Sequence, residues 1–544
     1  MYALLAIAPI FLAVVLMLLR FRAGTALMLA WFSGCLIAFF GWRMDLPHIF
    51  GFSISGFIRS VDIMFVVFGA ILLLNVLKAN GNIAVIGNSL GRISQDRRVQ
   101  LLVVSWLFGG FLEGAAGFGT PAALAAPLLV GMGFPVFPAA LASLVANSTP
   151  TSFGAVGTPT IAALAAVKDA VAQLPGVDPV AYASQFTFVT AILHASIGIL
   201  VPFIVITIIT FLFGGEKKSF RRAFEALPIC IFAGVAFKLP YLLIARFVGP
   251  ELPSLLGAII GFTIMIVGVK LGLFVPKTVW RFPNDPIVGD SGTREKSGSS
   301  LLRAVAPYAV VAALLVLSRV PWLPLRNALR SVVIPFRNIA GIEGINWDWA
   351  VLNNPGIFPF ILTTVIFAAI YGMKGGQFGG ILKTTLKQIK NAVLALLGGV
   401  ALVQIMTNTG FNASGMDNMV TVVASALAGM FGGMYLFVAP FVGVFGAMVS
   451  GSNTVSNIMF SSLQFDTAIT TGLSTVLIVA LQNVGGAVGN MVAVNNIIPV
   501  CATTGATGQE GRLIVYNMIP CILITVIAAL VAFLLVAAGF AFVG

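Results

Sequence analysis

Phe111-Leu-Glu-Gly-Ala-Ala-Gly-Phe-Gly-Thr-Pro121 sits between two apolar arms, and how those arms are read decides the fold. The whole stretch covers residues 99–133. Each arm has about fourteen residues, where a spanning helix needs about 20 mostly apolar ones. Residues 430–465 repeat the build around Ser450-Gly-Ser-Asn-Thr454. Arms that short suit re-entrant hairpins, which return to the side they left and keep their broken backbone inside protein.

Composition says what surrounds such hairpins. Of 544 residues, 59% are hydrophobic and 9% charged, and the mean hydropathy is +1.06. Soluble proteins carry roughly a quarter charged residues, which disfavours a soluble enzyme, a disordered chain or a secreted disulfide scaffold. The formal charge of +13 would suit nucleic acid. The basic residues, however, stand in short clusters between apolar runs, as in cytoplasmic membrane loops, so the bilayer is the expected partner and nucleic acid is not. Cys35, Cys230, Cys501 and Cys521 lie apart without a CxxC pair and read as buried packing. The N-terminal apolar run lacks a basic lead and reads as a retained span.

Apolar runs of spanning length fall near 3–19, 24–41, 59–77, 135–167, 186–213, 226–246, 253–275, 302–320, 355–372, 391–410, 467–505 and 513–543. With the N-terminus outside and both hairpins returning, five basic segments fall inside, as the positive-inside rule asks. They are Arg20/Arg22, Arg92/Arg97/Arg98, Lys217/Lys218/Arg221/Arg222, the polar loop 276–300 and Lys374/Lys383/Lys387/Lys390. Outside fall 42–58, 169–185, 247–252 and 321–354; the last holds Arg326, Arg330 and Arg337, and long loops obey the rule poorly. A hairpin read as a true span would swap every later cluster. The expectation is an all-α polytopic membrane protein of about 12 transmembrane helices plus two re-entrant hairpins, both termini outside.

Four blocks follow. Scaffold spans occupy 1–58. A first repeat, 59–213, holds hairpin 99–133 and broken helix 135–167. Further scaffold spans, 214–390, include the loop 276–300 as the joint between halves. A second repeat, 391–544, holds hairpin 430–465 and broken helix 467–505. The first long span is interrupted at Asn147-Ser-Thr-Pro150 and Gly154, the second at Asn483-Val-Gly-Gly486 and Asn490. Phe108 and Phe445 differ by 337 and Asn147 and Asn483 by 336, so the blocks run nearly in register, in opposite orientations. Paired broken segments in inverted orientation point to a transporter's midplane site.

The residue types fit that site. Helix N-termini offer an anion open N–H groups and about half a positive charge, while unwound carbonyls and hydroxyls suit a cation. Gly117, Thr120, Asn147, Ser148, Thr149, Ser452, Asn453, Thr454, Asn483 and Asn490 would line the chamber. The competing reading is close helix packing through small residues.

Single residues are read two ways. Glu113 at hairpin-tip depth could load and release a proton, or be a structural carboxyl held by its own loop's N–H groups. His194, inside a span, could be a proton relay or a satisfied structural histidine. Lys238 could attract an anion, though snorkelling to an interface is the favoured reading. Asp417 is expected to face outer water. Two histidines (His48, His194) exclude HExxH zinc chemistry and make a His-based triad hard to build. Gly114–Gly119 has the wrong glycine order for a dinucleotide loop. No metal or cofactor is expected, and a membrane-embedded hydrolase is the remote alternative.

Phe111-Leu-Glu-Gly-Ala-Ala-Gly-Phe-Gly-Thr-Pro121, Leu128-Leu-Val-Gly-Met-Gly-Phe134, Phe153-Gly-Ala-Val-Gly157, Gly249-Pro-Glu-Leu-Pro253 and Gly451-Ser-Asn-Thr-Val-Ser-Asn457 resemble the bacterial L-lactate permease family, in order and spacing, over nearly the whole chain. The resemblance implies a permease of the bacterial cytoplasmic (inner) membrane for lactate and related 2-hydroxymonocarboxylates such as glycolate, driven by proton symport. It also implies an elevator-type transporter of the hairpin-bearing inverted-repeat kind, commonly a homodimer. Two positions depart from the family: Asn453 stands where its members have Asp in the second tip, and Asn490 where they have Lys after the second Gly-Gly. Losing both members of an opposite-charge set leaves the net charge of the site unchanged. The expected protein is thus a proton symporter of L-lactate or a close relative, with Glu113 and His194 as coupling residues. Sodium-coupled carboxylate transport is the alternative.

Overall fold

The computed structural model describes residues 2–19, 21–82, 85, 93–115, 117, 120–215, 220–283, 285, 301–319, 324–354, 356–506 and 508–542. Arg20, Arg92, Lys217, Lys218 and most of the loop 276–300 lie outside the described residues.

Long helices begin behind capping side chains. Asp45 accepts from His48 N, Asp178 from Val180 N and Ala181 N, Asn418 from Thr421 N and Ser474 from Leu477 N. These caps satisfy first-turn N–H groups that lipid cannot. Among the described residues, eight helical stretches are long and apolar enough to cross a membrane, or nine if Gly375–Lys390 and Val393–Asn408, bent by 40°, count as one. Tyr2–Leu16, Gly24–Phe40 and Gly356–Ile370 are shorter apolar helices.

Two 34-residue helices, Leu46–Ala79 and Gly375–Asn408, cross each other. Gly56 makes the crossing close, since a Cβ there would press on the Ala401 backbone; small residues allow such approach. Around this crossing lies one core, with Ala6, Ala26, Phe52, Leu402, Met419 and Val423. A larger core joins the first hairpin to Pro179–Gly198, Leu227–Phe247, Pro253–Lys270 and much of the chain after Tyr435, although Val455, Met459, Phe460 and Leu463 of Asn453–Thr471 belong to the first core. A thin third cluster lies on the seam between them: Ile63, Val67, Ala162, Ile389, Leu396, Val403 and Ile458. Leu227–Phe247 and Pro253–Lys270 therefore pack with the first hairpin, while Gly375–Asn408 packs with the N-terminal helices.

The first hairpin climbs through Arg97–Leu101, a π-helical turn Leu102–Phe108 and Gly109–Ala115, and descends as Thr120–Gly131. Its two ends meet, because Arg97 Nη1 donates to Met132 O at 2.6 Å. The second hairpin is tighter. Tyr435–Ser450 stops at Gly451, whose φ of 75° only glycine adopts freely, and Ser452 at once caps Asn453–Thr471.

The first broken helix runs Val136–Ala146, Thr151–Phe153, Gly154–Ala172. The break at 147–154 falls where expected. Beyond it Ala155, Val156 and Gly157 all lie in the left-handed region, with φ of 42°, 59° and 74°. For alanine and a β-branched valine this costs about 1–3 kcal/mol each.

The second broken helix differs from expectation. Thr475–Gly489 is continuous through Asn483-Val-Gly-Gly486 and breaks at Asn490–Val492. Asn147 and Asn490 are each the residue that ends its helix, whereas Asn483 lies mid-helix. The two glycines serve packing: a Cβ on Gly485 would strike the Pro440 carbonyl, and one on Gly486 the Asn453 side chain. They let the second hairpin lie flush on this helix. The segment 321–354 is also more than a loop. It holds the helix Pro324–Ser331 and an antiparallel hairpin of Val333–Phe336 with Trp347–Ala350, the one sheet among the described residues.

Candidate functional site

Both hairpin tips and the first break converge on a small chamber of ≈ 20 Å³, lined by Glu113, Gly117, Thr151, Gly154, Ala155, Pro159, Gly451, Ser452, Asn453, Thr454 and Asn490. A water needs about 10–15 Å³, so the chamber has room for about one.

Glu113 is buried (2% exposed) at the end of the rising arm. Its Oε2 accepts from Asn147 Nδ2 at 2.9 Å, a side chain from the broken helix and not an N–H of its own loop. Gly154 faces the same carboxylate so closely that a Cβ there would collide with it. Gly117, at φ +57°, lies against Ala155 and the Glu113 Oε1 side. The tip is thus built around the carboxyl.

From the other half, Ser452 caps Asn453–Thr471 and directs the helix's N-terminal end at the chamber, a fixed partial positive charge. Asn453 Nδ2 donates to Asn483 Oδ1 at 3.0 Å, and Asn457 Nδ2 to the same oxygen at 2.9 Å. Asn483 Nδ2 donates to Thr160 Oγ1 (2.9 Å), which donates to Ser152 O (2.7 Å). Asn457 Nδ2 also donates to Pro159 O at 3.0 Å. Asn483 is therefore the knot between the second tip and the first break, placed one layer behind the chamber wall.

His194 joins this knot. Its Nε2 lies 2.7 Å from Ser152 Oγ, which donates to Asn483 O at 3.0 Å. A serine has one proton to give, so the imidazole donates from Nε2. Nδ1 has no partner. Lys238 does not snorkel: it is 1% exposed, its Nζ held 3.9 Å from the Tyr241 ring centroid and 4.4 Å from that of Phe237. The rings supply the attraction that water would have given.

Of the expected residues, Glu113, Gly117, Ser452, Asn453, Thr454 and Asn490 line the chamber; Asn147 touches it through Glu113, and Asn483 and His194 through hydrogen bonds. Ser148 and Thr149 do not line it. Ser148 Oγ bonds back to Val145 O at 2.8 Å, and the Thr149 carbonyl accepts from Tyr241 OH at 3.2 Å. The Thr120 side chain lies outside the described residues. Ser152, Asn457 and Thr160 are the residues that sequence reading passed over. Asn457 carried a signal, standing four residues after Asn453 and so on the same helix face.

Two hairpin tips closing on a polar chamber, inside a body of long apolar helices, define a multi-pass membrane transporter of the broken-helix kind. The comparisons with known proteins agree. The family model described as L-lactate permease matches residues 2–538, and the chain belongs to the L-lactate permease family. It is 30% identical to the glycolate permease GlcA of Escherichia coli, over 95% of this chain and 92% of that one. It is 28% identical to the L-lactate permease of Bacillus subtilis, over 98% and 95%. These relatives are permeases, not enzymes. A crystal structure of the Alcanivorax borkumensis YdaH transporter overlays with a TM-score of 0.48 and 13% identity, over 91% of this chain and 89% of that one.

Proposed function

We propose that the chain is a proton symporter of L-lactate or a related small 2-hydroxymonocarboxylate across the bacterial cytoplasmic membrane. The carrying observation is the placement of Glu113: a buried carboxyl at the wall of the chamber, bonded to one neutral amide. The names of the lactate and glycolate permeases to which the chain is similar supply the substrate class. Glu113 takes the proton, Asn453, Thr454 and Asn490 with the helix end at Ser452 bind the carboxylate and hydroxyl, and His194 positions Ser152. An anion crossing with one proton is a neutral load, which avoids an unpaired charge at the midplane.

The chamber has room for about one water as it stands, and in this reading loading moves the hairpin-bearing core against the crossed helices. The thin seam between the cores is the surface on which an elevator-type displacement would run. Loop contacts support the twelve-span layout with both hairpins re-entrant and both termini outside. Arg59, at the outer end of its span, pairs with Asp169, Trp42 donates to Asp417 O, and Gln185 donates to Ala541 O near the end of the last span, all at positions assigned to the outer side. Arg98 donates to Arg222 O and Thr278 O, and Asn82 to Tyr371, all assigned inside.

A second reading, sodium coupling, rests on four buried amide oxygens without a hydrogen-bond partner: Oδ1 of Asn147, Asn453, Asn457 and Asn490. Neutral oxygens of this kind suit a hard cation. Uptake of radiolabelled L-lactate into proteoliposomes under an inward proton gradient, with and without sodium, separates the two. Accumulation that needs the proton gradient and ignores sodium supports the first; a sodium requirement replaces it with the second. No lactate uptake under either gradient by folded protein rejects both.

A further inference from the structure

A second cavity is lined by the same two helices that border the chamber. It measures ≈ 120 Å³ and opens between the crossed long helices and the two helices that leave the first break and the second tip. Its walls include Arg59, Asp62, Ala165, Trp347, Gln404 and Ile458. Along Gly154–Ala172 its lining starts at Ile161, just past Pro159 of the chamber; along Asn453–Thr471 it includes Ile458, one turn past Thr454. The small chamber and a roomier cleft beside the strand Trp347–Ala350 are thus lined by neighbouring turns of the same two helices.

Arg59 stands in that cleft with an unfinished set of bonds. Its Nη1 donates to Asp169 Oδ2 at 2.9 Å, its Nε to Ser55 Oγ at 3.2 Å and its Nη2 to Asn346 O at 3.4 Å. A guanidinium has five N–H donors in a fork that matches a carboxylate, so two are left. Asp169 holds it by a single bond, and its side chain is 56% exposed, the kind of pairing that contributes little in water. The acid that does line the cleft is already engaged: Asp62 Oδ1 accepts from Trp349 Nε1 and Asn354 Nδ2, both at 2.7 Å. Lys168 adds a second positive side chain to the lining.

We propose that this cleft is an access subsite for a small monocarboxylate anion, in which Arg59 releases Asp169 and takes the substrate carboxylate before it passes along the seam to the chamber. The proposal rests on the carboxylate-transport reading above. Arg59 lies on Leu46–Ala79 and Asp169 on the broken helix Gly154–Ala172, so the exchange also unties the crossed pair from the hairpin-bearing core. Substrate arrival thereby frees the element that must move.

The test compares radiolabelled L-lactate uptake by wild type, Arg59→Gln and Asp169→Asn in proteoliposomes. Arg59→Gln is expected to raise KM about tenfold with little change in Vmax, the loss of a charge-assisted contact, whereas Asp169→Asn lowers KM by freeing the guanidinium. A merely structural ion pair predicts the same effect from both variants, and that result overturns the proposal. A second measurement does not depend on transport. Ala165 is an exposed residue of the cleft wall, and in an Ala165→Cys background anionic and cationic thiosulfonate reagents of equal size are compared. The anionic reagent should react faster, L-lactate should slow it, and Arg59→Gln should abolish the preference. Equal rates with Arg59 intact overturn the subsite even where lactate uptake is normal. An anion preference in protein that takes up no lactate supports the subsite while rejecting the substrate reading.

Discussion

Glu113 and Gly154 form a fitted pair: the carboxylate occupies the space that any side chain at Gly154 would need. Gly154→Ala is expected to keep the protein in the membrane but lower lactate uptake roughly tenfold, since overpacking costs about 1–3 kcal/mol. Gly131→Ala, which meets open space, is the control that should transport normally. Glu113→Gln keeps the size and the Asn147 contact but removes the proton site. Lactate exchange across the membrane should persist in it while accumulation driven by a proton gradient disappears; normal accumulation would take Glu113 out of the mechanism. At this scale the sequence was legible where a residue breaks a rule, as a carboxyl in an apolar run does. It was not legible for Ser152 or Thr160, whose importance comes from partners more than 300 positions away in Asn453 and Asn483.

Elements hold the site through their feet as well as their tips. At the foot of the first hairpin, Arg97 is bonded twice to Asp285, by Nε at 2.7 Å and Nη2 at 2.5 Å, while Arg98 and Asp96 form a buried pair at 2.7 Å. Trp280 N donates to Asp96 Oδ2 at 3.1 Å, so the chain at 278–285 is strapped to the hairpin it follows by far in sequence. Arg98→Ala would leave Asp96 buried without its partner, a loss of about 3–5 kcal/mol. Thermal unfolding of the detergent-purified variant should fall by many degrees or the protein should fail to accumulate. Arg221→Ala, on a side chain 86% exposed, should shift it hardly at all. The basic cluster at 97–98 was legible in the sequence, but its strap was not, because ion pairs over such separations leave no periodic mark. The helix ends tell the same story: the caps stand in the sequence, whereas Gly485-Gly486 looks like a break and is a packing surface.

For the whole molecule the seam is the decisive feature. The crossed helices meet Gly154–Ala172 and Asn453–Thr471 along an aliphatic strip, while Val455, Met459, Phe460 and Leu463 of the latter also pack into the core around the crossing; apolar contacts are non-directional, so displacement along them loses little specific bonding. Val403 and Ile458 face each other across the cleft at the end of that strip. Cysteines at both positions, joined by a bifunctional thiol reagent, should arrest uptake, and a cleavable reagent should restore it on reduction. Uptake that continues across a complete cross-link would mean that these two surfaces do not move against each other during transport.

The chain by itself determined the class of protein, the two hairpins, the first helix break and most of the chamber wall. Bilayer thickness, backbone satisfaction and capping chemistry act locally and are written in composition and spacing. Only the tertiary structure decided that the second helix breaks at Asn490 and not at Asn483, that Lys238 is caged by aromatic rings, that Ser148 and Thr149 turn away, and that Arg59 lines a cleft outside the chamber. Each of these depends on which helices lie side by side, and in a body of near-uniform apolar helices that choice is made by close packing between distant segments.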